Sequence, residues 1–87
     1  MADKEKRKAS DKKMLSKMLA KEMSMLEEEI KELEIKRSRS QASLIDALIS
    51  RREPNEDDVR FFRTYTAEID IKREKLQKLV DHKNNMD

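Results

Sequence analysis

Apolar residues recur along this chain at alternating spacings of three and four. From Leu19 the series runs through Met23, Leu26, Ile30 and Leu33, the seam of a coiled coil, and Met14, Leu15 and Met18 carry it toward the N-terminus. The same heptad register then takes Arg37 and Ser40 into the seam before Leu44, Ala47 and Leu48 restore it, with Ile45 and Ile49 widening the apolar face. A second series follows Pro54 and comprises Val59, Phe62, Thr66, Ile69, Arg73, Leu76 and Val80, flanked by Tyr65 and Leu79. Both seams are partly polar. A lone Arg at a seam position lowers stability and fixes register, which gives Arg37 a structural role ahead of a ligand-binding one.

The punctuation between the two series is Pro54. Proline removes an amide donor and pushes the residue before it out of the helical region, so the first helix is expected to end near Arg52. Arg51 and Arg52 then stand at the negative end of its dipole. Asn55 is a good N-cap, and Glu56, Asp57 and Asp58 fill a first turn whose free amides favour negative charge. This fresh capping chemistry favours a hairpin over one rod kinked at the proline. The expected organisation is an N-terminal basic arm over 1–10, mobile and without an apolar repeat, a long amphipathic helix over 11–53 and a turn at 54–55. A return helix over 56–83 and a frayed end over 84–87 complete it. The fold class is all-α: an asymmetric, coiled-coil-like antiparallel hairpin with a long first helix and a shorter second one, part of a larger helical bundle. Its expected core is Leu26, Ile30, Leu33, Leu44 and Leu48 against Val59, Phe62, Ile69, Leu76 and Val80.

Charge adds a register to this picture. A turn close to Pro54 sets residues 27–34 opposite 74–81. It thereby brings Glu27, Glu28, Glu29, Glu32 and Glu34 toward Lys72, Arg73, Lys75 and Lys78, and Lys36, Arg37 and Arg39 toward Glu68 and Asp70. Exposed pairs of this kind contribute a few tenths of a kcal/mol each (~0.2–1), so the blocks select register more than they stabilise. In that register residues before Leu26 have no partner within the chain. Met14, Leu15, Met18, Leu19, Met23 and Met25 then form an uncovered stripe. Methionine is flexible and polarizable, which suits a face that adapts to another chain, so these six are the candidate partner-binding residues.

Composition narrows the function classes. The 87 residues are 46% charged and 36% hydrophobic, with no Gly, one Pro, no Cys and one His. That charge content approaches the disordered range, but helical periodicity argues against simple disorder. The length allows one small domain, and without Cys there is neither a disulfide nor a zinc site to staple it, so a partner or self-association is the expected source of stability. No run of apolar residues approaches the ~20 needed to span a bilayer, and the N-terminus has no signal-peptide pattern, so a soluble intracellular protein is expected. There is no Gly-rich phosphate loop, no Cys nucleophile and no His paired with a positioned acid; the chain is read as not an enzyme, with no cofactor, metal or small-molecule substrate. His82 is read as a helix-end residue, and the Glu27 to Glu34 cluster as a solvated face.

Residues 1–21 hold eight Lys or Arg against three Asp or Glu, a net +5, while the remainder carries −3. Lys4, Lys6, Arg7, Lys8, Lys12 and Lys13 form this electrostatic arm, which could meet nucleic-acid phosphates, an anionic membrane or an acidic protein surface. No aromatic residue interleaves with these cations to stack on bases. Arg7-Lys8-Ala9-Ser10 and Arg37-Ser38-Arg39-Ser40 are basic-serine strings that make Ser10 and Ser40 candidate phosphorylation sites, one at the start of the first helix and one in its seam.

The stretch from Leu44 to about Leu79, with its apolar residues, Pro-Asn turn and Tyr-containing return helix, resembles small helical hairpins such as type III secretion needle subunits and their co-chaperones. The resemblance covers under half the chain, which is also similar to the charged, Cys-free helical subunits of viral scaffolds and of multi-subunit tethers. No family's residues are carried over. The leading expectation is a protein–protein interaction subunit or adaptor in a homo- or hetero-oligomeric helical assembly. The alternatives are a self-assembling scaffold or secretion-type co-chaperone hairpin, and a basic-arm binder of nucleic acid or anionic membrane.

Overall fold

With no Gly and its single Pro at position 54, the chain has one place where helix must be interrupted, and the two helices are separated across it. The computed structural model describes the backbone of residues 2–86 and the side chains of residues 11–85. Two helices, α1 (Ala2–Ile49) and α2 (Glu56–Met86), pack antiparallel into one hairpin with extents of 74 × 16 × 16 Å. At about 1.5 Å per residue the 48 residues of α1 account for the whole length. Each helix outruns its expected boundary at the end remote from the turn, while α1 stops short of 53 at the turn. Helix α1 begins at Ala2, so the backbone of 2–10 continues the helix, and α2 runs on to Met86, well past 83. The side chains of Lys4, Lys6, Arg7, Lys8 and Ser10 lie outside the described residues.

The turn is wider than a break at 54–55. Helix α1 closes at Ile49, and the Arg52 amide donates to the Ala47 carbonyl at 2.8 Å while the Arg51 amide donates to Leu48 at 3.2 Å. Together these bonds make a Schellman cap, and its αL position is filled by Arg51 at φ 55°. Arg51 and Arg52 therefore stand just beyond the last helical turn. Six residues, 50–55, then lead to α2. The Asp57 amide donates to the Asn55 side-chain oxygen at 2.8 Å, and Val59 N–H closes the first helical bond onto the Asn55 carbonyl at 3.1 Å. Asn55 is thus the N-cap its sequence context predicts. Ser43 Oγ donates to Asp58 Oδ2 at 2.6 Å, which ties the first turn of α2 to α1.

That bond and the pairing of Lys72 with Glu29 at 2.6 Å define one register, in which residue 58 faces 43 and residue 72 faces 29. Continued along both helices, it puts Glu56 beside residue 45 and Met86 beside residue 15. Helix α1 consequently overshoots the start of α2 by about one turn. The expected core residue Leu48 lies on that overshoot and is 75% exposed, as are its neighbour Ile49 and, less so, Ile45. The core is otherwise where the seams place it. Ile69 is fully buried between Ile30 and Leu33, with Tyr65 and Leu76 packed against them; Leu26 and Ala47 are also buried, and Leu44, Val59, Phe62 and Val80 are half-buried. Ser40 is buried and Arg37 half-buried, so the polar middle of the seam is real. Thr66 Oγ1, at the same level of the hairpin, is buried without a hydrogen-bond partner.

Candidate functional site

The register decides how much of α1 is left uncovered. Pairing near Pro54 would free everything before Leu26, but the observed pairing lies one heptad away, and α2 is longer than expected. Lys75 reaches Glu22 at 3.2 Å, and Leu19 and Met23 are half-buried. These two residues belong in part to the hairpin's own packing, and only residues 2–14 extend past the end of α2. The uncovered stripe therefore narrows to Met14, Leu15, Met18 and Met25, each about half exposed or more, with Met18 at 60%.

Where α2 runs out alongside α1, Leu15, Met18, Leu19, Glu22 and His82 line an open cleft of about 460 Å³. It is mainly apolar, with one acidic and one imidazole group in its lining. Sequence reasoning assigned neither Glu22 nor His82 to this face. The signal for both was the lack of any Gly or Pro after His82, which leaves α2 free to run on beside residues 15–22. Lys12 and Lys13 are exposed on α1 beside the stripe, and so are Lys17 and Lys21; none is ion-paired among the described residues. The cations and the exposed methionines therefore share one end of the rod.

Two glutamates of the acidic block, Glu29 and Glu34, are paired within the hairpin, as is Glu22 before it. Glu29 accepts from Lys72, Glu34 from Arg73 and Glu22 from Lys75, while Lys78 turns to Glu74 of its own helix at 3.6 Å. The Glu29 carboxylate, as hydrogen-bond acceptor and nearby charge, holds the Lys72 ammonium above its ordinary value of 10.5. Lys36 and Glu68 line one groove with Glu29, Glu32 and Lys72, in keeping with the expected approach of those charge blocks. Along the same edge Phe61 and Tyr65 stack at 6.1 Å between centroids, and the Arg60 guanidinium lies 5.6 Å above the Phe61 ring. Among the described residues no group of three His, Cys, Asp or Glu is placed to hold a metal ion, and no helix is long and apolar enough to cross a membrane. Ser40, one of the two candidate phosphorylation sites, is buried at the helix–helix seam, where a kinase would have to open the hairpin to reach it.

The fold and this face define a coiled-coil-like helical hairpin with one apolar, cationic end. Comparison with protein families, curated proteins and solved structures gives no match for the chain.

Proposed function

We propose that the chain is a non-enzymatic interaction subunit that docks a protein partner through the N-terminal part of α1. The observation that supports this reading is the exposure of Met14, Leu15, Met18 and Met25 along one continuous helix. Burial of apolar area stabilises by roughly 25 cal/mol per Å², so four large side chains left in water are a standing reason to associate. Their chemistry suits the task, since unbranched thioethers repack against varied surfaces. The flanking lysines add attraction for an acidic partner and speed encounter, an effect that weakens with salt.

The experiment is site-specific photo-crosslinking in the full chain within its native cell. A photoreactive residue at Met18 is expected to give discrete adducts with one or a few proteins, identified by mass spectrometry. The same residue at Gln77, exposed on α2, is expected to give none of them. Adducts that are identical from both positions, or absent from both, refute the docking reading.

A further inference from the structure

Helix α1 carries a second heptad pattern on the face turned away from α2. Ser38, Ala42, Ile45 and Ile49 repeat at four, three and four residues, on the opposite side of the helix from Leu33, Ser40 and Leu44. All four are exposed, Ile45 at 45% and Ile49 at 76%. Coiled-coil spacing at the turn end of the rod, remote from the methionine face, calls for its own occupant.

We propose that this occupant is a second copy of the chain, bound antiparallel through α1. Antiparallel coiled coils stack a positions on d positions. The twofold register that does so between residues 43 and 44 sets Ser38 against Ile49 of the other copy and Ala42 against Ile45. Each layer of that register pairs a small side chain with a large one, the arrangement that lets facing layers interdigitate. Shifting by one heptad toward the N-terminus instead sets Ser38 against Ala42 and the exposed Ile35 against Ile45, so that small residues share one layer and large ones another.

Charge selects the same register independently. Arg39 and Asp46 lie on one edge of this stripe, both exposed and neither ion-paired among the described residues. In the proposed register Arg39 faces Asp46 of the other copy, and the twofold repeats the pair. The one-heptad alternative places Arg39 against Arg39, a like-charge clash. Leu48 flanks the stripe on its other edge and meets Gln41 of the second copy, which gives the misplaced core residue a contact. The pairing joins two hairpins turn end to turn end and leaves both methionine faces free.

Sedimentation equilibrium of the full chain over a concentration series tests the proposal, with circular dichroism to verify that every variant keeps its helices. The wild type is expected to reach twice the monomer mass. Arg39→Glu alone and Asp46→Arg alone each weaken the dimer at least tenfold, and an equimolar mixture of the two restores it, because every facing pair is then opposite in sign. Ile45→Glu abolishes the dimer, whereas Met18→Glu leaves it intact. A wild type that stays monomeric up to about 1 mM overturns the proposal. So does a mixture that fails to recover, or a dimer lost with Met18→Glu and kept with Ile45→Glu.

Discussion

Arg51→Gly is expected to make the hairpin more stable, although it deletes a charged side chain at a helix end. Arg51 occupies the αL position of the Schellman cap with φ 55°, where an L-residue costs roughly 1–2 kcal/mol because Cβ crowds the following carbonyl. Glycine avoids that clash but has more freedom to lose on folding, about 0.4–1 kcal/mol. It also forfeits the attraction of the exposed guanidinium for the helix C-terminus, about 0.3 kcal/mol. The balance favours glycine by roughly 0.5 kcal/mol, which in a chain of this size raises the melting temperature by about 2–4 °C. Arg51→Ala isolates the charge contribution, since it keeps Cβ and loses only the guanidinium, and it melts slightly below the wild type; the gap between the glycine and alanine variants is then the backbone effect. Thermal unfolding followed at 222 nm, at one low protein concentration for all three, ranks the variants Gly, Arg, Ala from most to least stable. If glycine melts at or below alanine, the strained cap is not what terminates α1.

Three further perturbations probe the seam. Thr66→Val removes the buried hydroxyl that lacks a partner and is expected to stabilise by about 1 kcal/mol; a lower melting temperature would mean that the hydroxyl is bonded in solution. Ile69→Ala, at the fully buried centre, is expected to cost about 2–5 kcal/mol, whereas Ile71→Ala two residues on, 66% exposed, stays within about 0.5 kcal/mol. Equal effects in chemical denaturation would contradict the burial of the Ile69 face. For Lys72, whose folded value is raised above 10.5, the pair with Glu29 contributes fully below that pH and is lost as pH rises through the folded value. The melting-temperature gap between wild type and Lys72→Gln is therefore flat from about pH 6 to 9 and closes only in strong alkali; closure near neutrality would show that some other group controls it.

How far the fold could be read from the sequence follows from the heptad itself. The seam residues Leu26, Ile30, Leu33, Val59, Ile69 and Leu76 all face the partner helix, yet the register expected from a tight turn at Pro54 is one heptad out. A slide of seven residues returns every seam position to the seam, so the periodicity that identifies the buried faces is blind to that slide. Only features that break the repeat can set it. The Glu and Lys blocks are too uniform to do so: Glu29 and Glu34 find Lys72 and Arg73, but several neighbouring registers also bring carboxylates to ammonium groups.

What breaks the repeat here is the turn. A left-handed Arg51 carries no sequence signal of the kind glycine provides, so the closure of α1 at Ile49 was not legible, and the overshoot of Leu48 and Ile49 follows directly from it. The consequence reaches the far end of the molecule. Sliding α2 by one heptad and extending it to Met86 covers Leu19 and Met23, ties down Glu22 and brings His82 into the cleft beside Leu15 and Met18. A cap formed by two backbone bonds at one end of the rod thus fixes which methionines remain exposed some 50 Å away, at about 1.5 Å per residue. The exposed methionine face is accordingly a property of the turn as much as of the residues that compose it.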